Sequence, residues 1–285
     1  MSVEKIQQEL EKMCRNSIRL HIGGGVEPEI GSTHFGGVPD VPEDFVWPVF
    51  ETSTYDDEEI KPRPLAFLAQ FDCAELAPLD TEGLLPKTGV LSFFYEIDSM
   101  RWGFDPKDKG CARVFWFEDV SVLAPARVPE DLHEDFQFPV LQFTASSEPS
   151  YPDGEDFCLE PERNMDWDGF YEALEALGME EPDNISQLLG WPDLVQGNMT
   201  MECEFVSRGY YLGHGWDEIS PEDRQYAEQT SREKWQLLFQ LDTVESEEDD
   251  FELMFGDCGR LYFYIPKEDL LARNFERVWL VMQCC

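Results

Sequence analysis

The chain has 285 residues, 42% hydrophobic and 13% aromatic, enough apolar material to build a core and to exclude disorder along its whole length. Acidic residues outnumber basic ones 60 to 21, a formal net charge of −39. A surface this negative repels phosphate backbones, which argues against nucleic acid as a partner, while it attracts basic proteins and cations.

The N-terminus opens with a predicted amphipathic helix over residues 3–20, with Ile6, Leu10, Met13 and Cys14 on one stripe. Its charged start has no apolar signal region, and no later stretch is apolar enough to span a membrane, so the expected location is the cytoplasm. Residues 21–48, rich in Gly and Pro, read as loop. Strands are expected at Leu65–Phe71, Val90–Ile97, Arg113–Phe117 and Phe136–Phe143. A helix follows, with Trp167, Phe170, Tyr171, Leu174 and Leu177 at helical spacing, Asp166 as its cap and Gly178 as its stop. A short helix is expected before Gly190. Met199–Phe205 alternates apolar and polar over seven residues and reads as a half-buried strand. Ser220 and Pro221 start another helix that runs to about Arg232. Strands at Leu237–Leu241, Arg260–Ile265 and Val278–Gln283 complete the chain.

Two halves of the sequence resemble each other. PLAFLAQFD at 64–72 matches KWQLLFQLD at 234–242, and TGVLSFFY at 88–95 matches CGRLYFYI at 258–265; both pairs are 170 residues apart (70 and 240, 89 and 259). Gly37-Val38-Pro39-Asp40 matches Gly190-Trp191-Pro192-Asp193 at a spacing of 153 (37 and 190), and Arg113-Val114 pairs more weakly with Arg277-Val278. The expected architecture is mainly β (α+β), a single domain over 1–285. It is an antiparallel, roll-like β structure built from two pseudo-twofold-related repeats with peripheral helices. Half one covers about 32–118, a connecting insert about 119–184, and half two about 185–285.

These segments carry a family resemblance. Gly36-Gly37-Val38-Pro39-Asp40-Val41-Pro42 with Trp47-Pro48, Leu65 to Asp72, and Leu85 to Gly89 resemble the YwqG-like family, a domain-of-unknown-function group of bacterial proteins. So do Leu189-Gly190-Trp191-Pro192 with Gln196-Gly197, Leu237 to Asp242, Phe255 to Phe263, and Val278 to Cys284. The resemblance implies a mainly β, roll-like fold and supplies no activity. Family members often carry a histidine shortly before the second Gly-x-Pro, where this chain has Ser186.

Several polar residues are candidates for a ligand or partner site. Gln70 and Asp72 lie two apart on one strand and so share a face, with Leu68; Phe67, Ala69 and Phe71 are expected on the other. Gln240 and Asp242 repeat the pattern with Leu238, opposite Leu237, Phe239 and Leu241. Symmetric packing would bring the four polar groups to one cleft suited to a cation or a small ligand. The structural reading of the same residues makes Asp72 and Asp242 caps of short helical turns and makes the glutamines partners of buried backbone groups. Gln196 follows the second Gly-x-Pro turn, and Asp257 precedes Gly259, positions suited to turn stabilisation as well as to a site. His34 in THFGG and His214 in LGHGW are loop-borne, without a metal or nucleophile partner at useful spacing.

No catalytic residue, cofactor or metal is indicated. Gly23-Gly24-Gly25 lacks the Lys-Ser/Thr of a phosphate loop and is followed by Glu27 and Glu29. The eight cysteines contain no Cys-x-x-Cys pair, so neither zinc nor redox chemistry is signalled. The acidic runs 56–59 and 245–250 read as solvated loops suited to interaction. Three functions stay open: a binding module for a basic protein, with an immunity-type neutraliser as one form; a small-molecule or metal-dependent enzyme at the junction of the halves; and a scaffold.

Overall fold

A computed structural model describes residues 2–158, 166–179, 184–246 and 250–285. Its main feature is a ten-stranded antiparallel sheet. In chain order the strands are β1 (Arg15–Gly25), β2 (His34–Phe35), β3 (Ala66–Asp72), β4 (Val90–Tyr95) and β5 (Ala112–Phe117). They continue with β6 (Leu141–Ser150), β7 (Gln187–Leu189), β8 (Trp235–Leu241), β9 (Arg260–Pro266) and β10 (Trp279–Gln283). Across the sheet the order is β10-β9-β8-β7-β1-β6-β2-β3-β4-β5. The β1–β6 pair lies at the centre, with Arg19 opposite Ser146, and four strands flank it on each side.

The sheet curls around one apolar core. Phe71 of β3 meets Phe239 of β8 at 5.3 Å between ring centroids, and Phe93 of β4 meets Phe239 at 4.8 Å and Phe263 of β9 at 5.3 Å. Strands from opposite ends of the sheet are thus face to face and bury the same side chains, the dominant stabilising term of the fold. Chain from the first half also covers the β10 edge. Met282 N donates to Trp102 O (3.0 Å) and Trp279 Nε1 to Gly103 O (2.8 Å), so the sheet is nearly closed and this edge is not left bare.

The helices are α1 (Val3–Met13), α2 (Cys73–Leu76), α3 (Gly154–Phe157), α4 (Trp167–Ala176), α5 (Thr200–Ser207), α6 (Pro221–Lys234) and α7 (Lys267–Leu271). Ile6 and Leu10 of α1 pack on Phe170 and Ala173 of α4, while Met201 and Phe205 of α5 and Ala227 of α6 pack with Trp235, Tyr262 and Trp279 on the outer face of β8–β10. None of the described helices is long and apolar enough to cross a membrane.

Several local expectations are corrected. The N-terminal helix ends at Met13, and residues 15–25 form the central strand β1, because Ile18 and Leu20 alternate inward with period two. Residues 21–48, expected as loop, hold the end of β1, β2 and a short pairing of Asp40–Val41 with Ala124–Pro125. The strand expected at Phe136–Phe143 begins only at Leu141 and runs on to Ser150. The segment before Gly190 is strand β7, not a helix. Met199–Phe205 is not a strand but α5: Met201 and Phe205 bury together at i, i+4, and the alternating Glu204 finds charged partners in the interior.

Bulges correct the facing of β3 and β8. Each strand carries one extra residue, between Phe67 and Ala69 and between Leu237 and Phe239. Leu68 and Leu238 therefore turn inward to the core rather than sharing the glutamine face. Phe67 and Leu237 turn outward, to the face of Gln70 and Gln240.

Candidate functional site

The two glutamines sit in like surroundings. Gln70 is fully buried; its Oε1 accepts from Asp40 N (2.9 Å), and its Nε2 donates to Ser32 O (3.0 Å) and to Asp40 Oδ2 (2.7 Å). Gln240, also fully buried, accepts from Asp193 N (3.0 Å) and donates to Ile185 O (2.8 Å). Asp72 N donates to Thr33 Oγ1 (2.9 Å), and Asp242 N to Ser186 Oγ (3.0 Å). The loop partners 32, 33 and 40 and their counterparts 185, 186 and 193 are each 153 positions apart.

The four residues do not share a cleft. Phe71 and Phe239 face each other across the core, so their strand neighbours Gln70 and Gln240 point away from it, each under its own Gly-x-Pro-Asp loop. Their amides are spent on backbone groups that burial would otherwise strand and, for Gln70, on the Asp40 carboxylate. Asp72 caps α2 by accepting from Ala74 N (2.8 Å). Asp242 caps no helix: Val244–Ser246 is a strand paired with Phe251–Leu253, and Asp242 accepts from Ile185 N (3.2 Å), Thr243 N (2.9 Å) and Arg260 Nε (3.2 Å).

His34 is 1% exposed and lies opposite Gln70. Its Nδ1 contacts Gly36 O at 3.0 Å, while its Nε2 is buried without a partner among the described residues. Burial lowers its pKa from 6.5, against the pull of Asp40 and the Gly36 carbonyl, which favours the neutral ring with Nδ1 as donor. Gln187 holds the matching place opposite Gln240 and donates to Leu189 O (3.3 Å) and Trp191 O (2.5 Å). Both turns use the left-handed region at the same two positions, Gly36 and Gly37 (φ 65° and 69°) and Leu189 and Gly190 (φ 60° and 75°). A Cβ on Gly36 would lie 2.0 Å from Pro139 O, so that position admits only glycine, while Leu189 adopts the same conformation with a side chain.

Gln196 ties the turn after β7 to the C-terminal strand: its Nε2 donates to Cys284 O (2.7 Å), and its N–H to Gln283 Oε1 (3.0 Å). Asp257 is exposed, and its carbonyl accepts from Cys285 N (3.0 Å). His214 is exposed, with its ring edge-on to Tyr211 at 5.2 Å.

Six carboxylates line a cleft whose walls come from segments distant in the sequence. It holds about 390 Å³ between the hairpin of Val49–Thr52 with Lys61–Pro64 and the segment 131–136. Asp56, Asp57, Glu96, Asp98, Asp131 and Asp135 line it, against Lys61 and Arg63. Asp57 takes both cations, Lys61 at 2.6 Å and Arg63 at 3.1 Å, and Lys61 first, then the Glu59 N–H and Arg63, hold its pKa down to about 2. Asp98 reaches Arg63 at 3.6 Å. Glu96 is buried, which pushes its pKa up against bonds from Ser99. Asp131 and Asp135 are exposed. Half of the acidic run 56–59 therefore lines a cleft, whereas 247–249 of the other run lie outside the described residues. No cluster of three or more His, Cys, Asp or Glu among the described residues is arranged to hold a metal.

These features define a class: a mainly antiparallel β protein with a nearly closed sheet and a strongly acidic exterior, whose paired buried glutamines serve the fold. The chain belongs to the family described as domain of unknown function (DUF1963), whose model matches residues 33–284. No curated protein matches the chain significantly.

Proposed function

We propose that the protein is a cytoplasmic binding module that holds a basic protein, with the neutralisation of a toxin as one form of that role. The observation that carries this reading is the cleft beside the 49–64 hairpin, where six carboxylates meet two cations, both already engaged by Asp57. An arginine or lysine side chain entering it gains several negative partners at once, and the net charge of −39 steers such a partner toward the surface.

We also read the chain as a single domain, a roll made of two related units and akin to the YwqG-like proteins. The matched bonds of Gln70 and Gln240, the bulges at Leu68 and Leu238, and the palindromic strand order support this reading. The alternative, a small-molecule or metal-dependent enzyme at the junction of the units, draws no support from Gln70, Asp72, Gln240 and Asp242, which point away from the shared core. A scaffold role would leave the cleft without use.

The test is affinity capture from the native host at low and high salt, with an Asp56→Lys/Asp131→Lys/Asp135→Lys variant beside the wild type. A basic protein held at low salt, released as the Debye length shrinks to about 3 Å at 1 M, and lost by the variant is the expected result. Equal capture by both proteins, or none at low salt, would remove the proposal.

A further inference from the structure

Arg19 occupies an unusual position for a cation in this chain. It lies at the middle of the central strand β1, between Ser146 of β6 and Gln187 of β7, on the sheet face opposite Ile18 and Leu20. Its side chain is 11% exposed, and its one ion pair among the described residues is a long contact of 3.4 Å from Nε to Glu148. Nη1 is buried with no acceptor among the described residues. In a protein with 60 carboxylates, the described residues thus give this guanidinium only one weak, long contact, to Glu148.

Arg19 forms part of the wall of a groove of about 320 Å³ between β1, helix α4 and the turn after β7, and it also borders a second pocket with His21 and Glu148. This volume suits a small molecule. Phe170 and Tyr171 of α4 and Trp191 line the groove. Trp191 is fixed in place: its indole N–H donates to Met13 O (2.7 Å), and the Arg15 guanidinium stacks 3.7 Å from its ring centroid. Asp153 and Asp193 stand at the rim. Asp193 keeps its side chain 55% exposed while bonding Arg260 at 2.7 Å. Partial burial raises its pKa, Arg260 lowers it, Asp153 and Asp242 raise it again, and Arg19 lowers it. The groove thus has a cation in its wall, aromatic sides and crowded carboxylates at its mouth.

We propose that this groove binds a small zwitterion of amino-acid or dipeptide size, with its carboxylate on Arg19, its apolar side chain between Tyr171 and Trp191, and its ammonium at Asp193 and Asp153. An ionised carboxylate gives the accessible part of the guanidinium a closer, charge-assisted partner than the long Glu148 contact, and an ammonium relieves the mutual repulsion at the rim. The site is separate from the acidic cleft and stands or falls independently of it.

Calorimetric titration of the full chain with three probes tests the assignment: phenylalanine, N-acetylphenylalanine, which keeps only the carboxylate, and phenylalaninamide, which keeps only the ammonium. Leucyl-phenylalanine serves as the dipeptide. Saturable binding of phenylalanine or the dipeptide is expected, with each single-charge analogue weaker by about tenfold or more. Arg19→Gln is expected to weaken binding by a similar factor while the melting temperature changes little, since the largely buried cation has only the long contact to Glu148 to lose. If Arg19→Gln does not fold, Asp193→Asn at the exposed rim carries the test, with a loss for phenylalanine and none for N-acetylphenylalanine. Absence of saturable binding by either zwitterion up to about 10 mM, or binding unaffected by both substitutions, overturns the proposal.

Discussion

At the scale of single residues, His34 and Gln187 do one job with different chemistry. Each lies opposite a buried glutamine and bonds a carbonyl two residues on, Gly36 or Leu189. His34→Gln should therefore cost about 1 kcal/mol or less, whereas His34→Ala leaves the Gly36 carbonyl without that bond and should cost about 1–3 kcal/mol by urea unfolding. The pH dependence follows from the lowered pKa. The folded state binds its proton less readily than the unfolded one, so the contribution is present above about pH 6.5 and is lost as the pH falls through the depressed folded value. The Gln variant should consequently gain on the wild type in acid; an unchanged difference between pH 7.5 and pH 5 would argue against a neutral buried ring. Glu202 has the opposite sign. It is part-buried on α5, has no bonding partner among the described residues, and burial alone raises its pKa to about 7. Its charge is a penalty above about pH 7 that vanishes below 4.5, the ordinary value. Glu202→Gln should thus stabilise the protein at pH 8 by up to about 3 kcal/mol and make no difference at pH 4. A variant equally stable with the wild type at both pH values would contradict that reading.

At the scale of elements, legibility in the sequence tracks how local the cause is. Asp166 accepts from Gly169 N (3.2 Å) and starts α4, Gly178 stops it at φ 77°, and Ser220 accepts from Asp223 N (3.1 Å) to start α6 behind Pro221. All of these are bonds within four residues, so the pattern alone carries them. β1 and α5 depart from the local pattern because their causes lie far along the chain. The period of β1 becomes decisive only once β6, more than a hundred residues on, supplies its partner. In α5 the alternating run conceals Glu204, which is 1% exposed and accepts from Arg208 Nε (2.7 Å), Lys234 Nζ (2.6 Å) and Trp235 Nε1 (3.0 Å). Burial pushes its pKa up, but the bonds from Lys234, Trp235 and Arg208 outweigh it and leave the value lowered. Glu204 therefore binds α5 to the end of α6 and the start of β8, and the stabilisation is present above about pH 4.5 and lost as the pH falls further. Glu204→Ala should cost about 2 kcal/mol or more at pH 7, measured by denaturant midpoint at constant m, because it leaves a buried indole N–H unbonded and takes a partner from Lys234 and from Arg208, which keeps Asp223. A cost below about 1 kcal/mol would mean that the cations simply turn to solvent. The candidate residues divide in the same way: Gln70, Gln240 and Asp72 were legible as fold-serving groups, while the cleft that joins Asp56 to Asp131 and Asp135 depends on a hairpin meeting a distant loop.

At the scale of the whole molecule, the central pair β1–β6 comes from segments outside the two similar halves, and each half adds four strands to one side of it. Neither set of four can close a core alone, because Phe71 and Phe93 find their ring partners in Phe239 and Phe263. On the single-domain reading, stability is then shared rather than modular. Phe239 is the sharpest probe: it is fully buried, and its ring touches both halves, at 4.8 Å to Phe93 and 5.7 Å to Phe263. Phe239→Ala should cost about 3–5 kcal/mol through lost burial and the cavity left behind. More telling is the form of the transition. Tryptophan fluorescence reports on both halves, through Trp47, Trp102 and Trp116 in the first and Trp191, Trp216, Trp235 and Trp279 in the second, and far-UV circular dichroism reports on the whole sheet. Both signals should shift together to lower urea, with one midpoint and no plateau, because loosening either wall of the core exposes the other. Two separated transitions, with half the ellipticity surviving the first, would mean that each half keeps a core of its own and that the contact between Phe71 and Phe239 is an interface rather than an interior.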